Sequence, residues 1–202
     1  SRQAEVMMKT IKNKGAKSVI GLSLLLLAWA ACSADNNELS VTAKITNGTC
    51  RVVASPENII FAPVYTGRFS SYGATSQVLP LKLVLSDCNG LGGGVEQAAI
   101  KVEGQMAQND FDPVLFLDQN GTTAKGVGFI LRAEKYTGNA SDFYNPQKAV
   151  RNGDYTYNYL AGQVPENGTT LDYSVGLTAG NHTQPVEAGE VTSTLSFIFL
   201  YH

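Results

Sequence analysis

Apolar and polar residues alternate with period two through most of the chain downstream of residue 36. In the stretch "NNELSVTAKITNGT", Leu39, Val41, Ala43 and Ile45 fall on one side, with Ser40, Thr42 and Lys44 on the other. This predicts an amphipathic strand about seven residues long. The chain closes on "TSTLSFIFLYH", where Leu195, Phe197, Phe199 and Tyr201 share one face and Thr194, Ser196, Ile198 and Leu200 the other. Aromatic and β-branched content makes this a strand buried on at least one side. Between these ends lie further short alternating runs: "CRVVA", "ENIIFAPVYTG", "VLPLKLVLSDC", "AAIKVEGQ", "PVLFLDQNG", "GVGFILRAE" and "TTLDYSVGLTA". Pro63 ends the second of these runs or confines it to a sheet edge, because proline cannot donate to a ladder. Leu79, Leu81, Leu83 and Leu85 share a face in the third, which closes on Cys88. The segment from Tyr136 to Tyr159 is polar and tyrosine-rich, and reads as a long loop with one irregular strand. No stretch carries a convincing helical period, and no repeat or linker marks a second domain. The expectation is an all-β sandwich of roughly nine or ten strands.

The closing strand poses a problem. A long apolar strand with no residues after it to cover its edge invites pairing with another chain. Its partner is therefore the question on which function turns.

Composition agrees with β structure: 44 % hydrophobic residues, only 16 % charged ones and 20 glycines among 202 residues. A net charge of −2 with no basic stripe excludes nucleic acid as a partner.

Residues 1–34 read as material ahead of the folded chain. Lys9, Lys12, Lys14 and Lys17 precede an apolar run from Val19 to Ala31 and then small residues, the three regions of a secretory signal peptide. The apolar run is too short to span a bilayer. Cleavage after Ala30 or after Ala34 both fit, and acylation of Cys32 is a third route. Cleavage after Ala34 leaves ten Lys/Arg (15 − 5) and sixteen Asp/Glu (17 − 1), a net charge of −6. It also leaves two cysteines, Cys50 and Cys88, and an even pair in an exported chain reads as one disulfide. Periplasm or cell exterior is the implied compartment.

The inventory offers no catalytic chemistry. The two histidines, His182 and His202, have no carboxylate or cysteine at metal-ligand spacing, and no G-x-S-x-G elbow occurs. Asp110 and Asp112 read as turn carboxylates. "NGLGGG" (89–94) lacks the Lys-Ser/Thr ending of a phosphate loop. No enzyme, metal or cofactor is expected. Five N-x-S/T sequons, at Asn47, Asn120, Asn139, Asn167 and Asn181, follow from a turn-rich composition.

Four stretches in order resemble the chaperone–usher pilus subunits of Gram-negative bacteria. They are "NGTC" preceded by the alternating arm, "GATSQVLPLKLVLSDC", "GVGFIL", and "GEVTSTLSFIFLYH" with Gly189 fourteenth from the end and a penultimate aromatic, Tyr201. The resemblance implies an immunoglobulin-like sandwich that is incomplete, missing its final strand, and completed by donor-strand complementation. It implies a layout of upstream and signal residues 1–34, donor extension 35–49 and pilin domain 50–202. Leu39, Val41, Ala43 and Ile45 would be the donor side chains. Gly189, Leu195, Phe197, Phe199 and Tyr201 would mark the acceptor groove and chaperone-binding strand. Other pilus subunits, a periplasmic chaperone and an outer-membrane usher would be the partners, in an extracellular fimbrium that supports adhesion. Ala43 stands where many members of that family carry glycine, and His202 is unusual beside the terminal carboxylate. The competing expectation is a free-standing glycan-binding, adhesin-like sandwich using the tyrosine-rich loop.

Overall fold

The computed structural model describes residues 37–44, 50–89, 95–108 and 111–202, with the side chains of 43 and 44 excepted. The expected signal segment, Cys32, Ile45, the "NGTC" turn before Cys50 and all but Asn89 of the glycine-rich loop lie outside the described residues. Within them, nine strands build two sheets: β1 (Asn37–Lys44), β2 (Arg51–Ser55), β3 (Asn58–Phe61), β4 (Thr75–Ser86), β5 (Ala98–Gly104), β6 (Gly128–Arg132), β7 (Tyr155–Thr156), β8 (Thr170–Thr178) and β9 (Val191–Tyr201). Two 3-10 turns, Thr66–Phe69 and Ala140–Asp142, are the helical content of these residues. No helix among them is long and apolar enough to cross a membrane.

One sheet runs β3-β1-β9-β5-β7 and the other β2-β4-β8-β6. The order follows from alternation. Each strand turns one row of apolar side chains inward, and two such faces stack about 10 Å apart over a common core. Leu81, Leu83 and Leu85 of β4 are fully buried, while Lys82 between them is exposed. Leu79, on the same face, is only half-buried near the open end of the strand. Pro80 sits past the end of the β2 ladder, which stops at Ser55 opposite Lys82, so its missing N–H interrupts no pairing on that side. Aromatic rings tie the sheets together: Phe61 meets Phe129 at 5.2 Å between centroids, and Tyr173 meets Phe197 at 5.0 Å.

Cys50 and Cys88 form the expected disulfide, joining the start of β2 to the end of β4. The placement is a consequence of register, since Arg51 lies opposite Ser86 in the antiparallel β2–β4 pair.

The run "PVLFLDQNG", expected as a strand, is instead a turn followed by isolated bridges at Phe116, to Met106 on one side and Phe129 on the other. Asp112 starts the turn: its Oδ1 accepts from the Val114 amide at 3.2 Å and its carbonyl from the Leu115 amide at 3.2 Å. Phe116 then exchanges both backbone bonds with Phe129 of β6, while Leu115 accepts from the Ala107 amide and Leu117 donates to the Gln105 carbonyl. Val150 caps the same edge through a bond to the Leu131 carbonyl. These two loops cover what would otherwise be an open sheet edge.

The tyrosine-rich segment contains one short turn and the two-residue β7, as its irregular pattern suggested. It is also packed down. A second apolar cluster, including Phe111, Leu115, Ile130 and Phe143, lies on the outer face of the β6–β8 sheet. Gly176 of β8 is what admits Phe143 there: a Cβ on it would stand 2.5 Å from the ring.

Candidate functional site

The strand marked by sequence as donor lies beside the strand marked as acceptor. β9 is the middle strand of the five-stranded sheet. On one side it pairs with β5, from Gly104 opposite Leu195 to Ala98 opposite Tyr201, antiparallel. On the other it pairs with β1, parallel, from Asn37 opposite Val191 to Lys44 opposite Ile198. β1 in turn pairs antiparallel with β3, whose register runs from Asn37 opposite Phe61 to Ser40 opposite Asn58. The N-terminal arm therefore fills a slot between β3 and β9, and without it the slot is open.

The floor of the slot is built by period-two alternation. Leu195, Phe197 and Phe199 of β9 are buried to 2 % exposure or less, and Tyr201 is half-buried at the strand's end, packed edge-on against Phe199 at 5.5 Å. Leu39 and Val41 of β1 enter this core at 0 % and 6 % exposure, opposite Ser193 and Leu195. Backbone register sets Ala43 opposite Phe197. Of the four positions read as donors, Leu39 and Val41 are buried within this same chain, Ala43 is placed by register alone, and Ile45 is outside the described residues.

The sequence also promises a strand offered to another molecule. In the single chain the arm lies beside its own C-terminal strand. The walls that sequence reading did not assign are Ile59 and Phe61 of β3 and Val52 and Ala54 of β2, all buried. Their signal was available: Ile59 and Phe61 flank Ile60, which is 66 % exposed, in plain alternation. β3 is an edge strand and ends before Pro63, as that proline requires.

Gly189 stands just before β9, packed against the 122–124 turn. A Cβ on it would stand 2.4 Å from the Ala124 amide nitrogen and 2.7 Å from Thr123. That close approach lets the Thr123 and Ala124 amides both donate to the Glu190 carbonyl, at 2.9 and 3.1 Å. Glycine is needed there for space.

The electrostatics of the groove are apolar and quiet, and the notable polar chemistry lies elsewhere. Tyr173 sits in the core with its hydroxyl 2.6 Å from Thr156 Oγ1, and burial holds its ionisation well above the usual tyrosine range. The five tyrosines of the tyrosine-rich segment are mostly engaged internally. Tyr136 donates to the Asn139 carbonyl and packs on Phe143, Tyr144 donates to Asp112, Tyr157 donates to the Asp172 carbonyl, and Tyr155 stacks on His202. Tyr159 packs half-buried against the main core. Among the described residues no group of three or more His, Cys, Asp or Glu side chains is placed to hold a metal ion.

Comparison with known proteins gives a sequence relative and a fold. No family model matches the chain. It is 31 % identical over 117 residues to a type 1 fimbrial subunit of Salmonella typhimurium, a match covering 52 % of this chain and 62 % of that relative. The chain thus matches about three-fifths of the relative's length. Among solved structures it is similar to the P pilus rod subunit PapA, with a TM-score of 0.53 and 14 % identity over 77 % of this chain and all of PapA. It also matches the CupB6 tip adhesin from Pseudomonas aeruginosa at a TM-score of 0.40 and 16 % identity, over 83 % of this chain and 41 % of that one. A two-sheet, disulfide-linked sandwich with its N-terminal strand set beside its C-terminal strand has, on the PapA comparison, the fold of a pilus rod subunit.

Proposed function

We propose that this protein is a structural subunit of a chaperone–usher fimbria, exported through the periplasm and assembled outside the cell. Each copy gives its arm, residues 35–49, to the β3–β9 slot of a neighbour. The observation that carries this reading is the slot itself. The strand between β3 and β9 is β1, the first described strand, and its successor β2 lies in the other sheet, so an equivalent strand from a second chain can occupy the same place. Strand addition of this kind gains affinity from ladder bonds and register from alternate side chains. Burying Leu39 and Val41 contributes about 1.5–3 kcal/mol each. The similarity to a type 1 fimbrial subunit and to a pilus rod subunit supports the same reading.

A chaperone strand and an usher are the partners this reading implies before assembly, and β9 is where the chaperone would pair. The glycan-binding alternative loses ground because most of the tyrosine faces it needs are spent on internal contacts. No catalytic role is assigned.

The test is assembly. Chain lacking residues 1–34, concentrated and incubated, is expected to form rods by electron microscopy, and chain lacking residues 1–44 to form none. Monomers from both, under conditions in which both remain folded, would overturn the reading.

A further inference from the structure

We infer that Asn120–Gly121 is a self-modifying step. It converts to aspartate and isoaspartate in the folded chain, ahead of the other Asn-Gly pairs that the structure describes in full, and isoaspartate there loosens the turn that holds the start of β9. The pair "QNGTT" (119–123) and "ENGTT" (166–170) makes the case, because the two stretches differ only in their first residue. Local sequence therefore gives Asn120 and Asn167 closely similar susceptibility, and the fold separates them. At Asn167 both reacting groups are occupied: its Oδ1 accepts from the Cys88 amide at 2.7 Å, and the Gly168 amide donates to the Leu85 carbonyl at 2.7 Å. Asn152–Gly153 is held in the same way. Asn152 Oδ1 accepts from the Gly104 amide at 3.1 Å, and the Gly153 amide donates to the Val102 carbonyl at 2.7 Å. Asn120 and Gly121 instead lie exposed in a turn. Among the described residues neither the Asn120 side chain nor the Gly121 amide has a hydrogen-bond partner.

The reaction needs only water and hydroxide. The Gly121 backbone nitrogen gives up its proton and attacks Asn120 Cγ, unobstructed because glycine has no Cβ. The Cγ–Nδ2 bond breaks, ammonia leaves carrying a proton, and a cyclic imide remains. Water then opens the ring. Cleavage at Cγ returns aspartate with the ordinary backbone; cleavage at the main-chain carbonyl gives isoaspartate, whose backbone runs through Cβ and Cγ and is longer by one carbon. That extra carbon falls inside a tight ring, since the Thr122 amide donates to the Asp118 carbonyl at 3.1 Å. The same ring clasps β9: the Asp118 amide donates to the Thr192 carbonyl at 2.8 Å, and the Thr192 amide donates to Thr122 Oγ1 at 3.1 Å. Gly121 itself packs on Thr192, where a Cβ would collide with Oγ1. Lengthening the backbone at residue 120 therefore pulls Thr122 and Asp118 out of step with Thr192.

The test is to age chain lacking residues 1–34 at mildly alkaline pH and map its peptides by mass spectrometry, separating asparagine, aspartate and isoaspartate at each step. Two hydrogen bonds to break at Asn167 and at Asn152, and none at Asn120, should make Asn120 faster by about tenfold or more, tenfold being about 1.4 kcal/mol of barrier. In denaturant, Asn120 and Asn167 should convert at matching rates. Equal rates at these two residues in the folded chain, or faster conversion at Asn167, would overturn the inference. So would an unfolded chain in which Asn120 keeps its full lead, since local sequence would then be the cause. The effect on β9 is read by amide hydrogen exchange, which reports local opening. Exchange at Thr192 and Thr123 should be faster in the aged chain than in the fresh one. Asn120→Gln, whose longer side chain closes the ring poorly, should convert little and keep the fresh exchange rate. Unchanged exchange in a chain converted to isoaspartate at residue 120 would overturn the loosening of the clasp.

Discussion

Single residues fix the loops around the sandwich, and Asp112 fixes most. Only 2 % exposed, its carboxylate accepts from the Val114 amide at 3.2 Å, the Asn181 amide at 2.9 Å and the Tyr144 hydroxyl. It thereby joins the loop before β6, the tyrosine-rich insert and the β8–β9 connection. Replacing it with alanine orphans all three donors, so Asp112→Ala is expected to lower unfolding free energy by about 2–3 kcal/mol in a denaturant titration. Arg132 does similar work for the insert. Its Nη1 donates to the Phe143 carbonyl at 2.9 Å, it pairs with Glu134, and its guanidinium lies 5.0 Å from both the Tyr136 and Phe143 ring centroids. Four tyrosines give the fold a pH dependence, Tyr159 through burial alone. Burial first, and then the Asp112 contact, raises Tyr144; burial raises Tyr173; burial and the neighbouring Asp172 raise Tyr157. A folded-state pKa above the unfolded one favours the folded chain while both states are protonated. That contribution is fully present below the ordinary tyrosine value of 10.0 and is lost as pH climbs above it. Stability measured by denaturant midpoint should therefore hold steady from neutral pH and fall beyond about pH 10. None of these contacts was legible in the sequence. Asp112 looks there like any turn carboxylate, and only the fold brings Tyr144 and Asn181 to it.

At the scale of elements, alternation was a reliable guide wherever a strand has one face in the core. β1, β4, β8 and β9 all appear where period two places them, and Leu81, Leu83 and Leu85 point inward together. Alternation misled at "PVLFLDQNG", because the turn built on Asp112 leaves room only for isolated bridges at Phe116, to Met106 and to Phe129. It said little about the packing of the tyrosine-rich insert, since that depends on Gly176 leaving space for Phe143 and on a buried arginine. The cysteine pair was readable from count and compartment alone, and the register of β2 against β4 explains its geometry. Closing a loop of 38 residues contributes about 3–4 kcal/mol by restricting the unfolded chain. The double substitution Cys50→Ser/Cys88→Ser is expected to lose that amount in equilibrium unfolding while leaving the far-ultraviolet dichroism of the folded state unchanged. Gly189 was singled out from sequence as part of the acceptor region, and the structure shows what surrounds it. It lets the 122–124 turn lie against the head of β9. Gly189→Ala should destabilise by about 1–3 kcal/mol through that clash, without altering the affinity of the slot for a strand.

For the molecule as a whole, the end of the chain posed the question and the beginning answers it. An apolar C-terminal strand rich in Phe and Tyr signals from sequence that it needs a partner, and the amphipathic arm before Cys50 signals a strand with no obvious hairpin mate. Sequence cannot show whether the two meet within one chain or between chains, because the same side chains and the same ladder serve both. The structure of the single chain has them together and parallel. The most direct measurement is thermal unfolding of three chains: residues 35–202, residues 50–202, and residues 50–202 with a copy of residues 37–49 fused after His202 through a short Gly/Ser linker. Loss of the arm is expected to lower the midpoint by about 10 °C or more, given two lost anchors and a broken ladder, and to promote aggregation. The fused copy should restore a monomer of at least the original midpoint. An arm-less chain that stays monomeric with an unchanged midpoint, and gains nothing from the fused strand, would show that the sandwich is complete without its arm and would contradict the account.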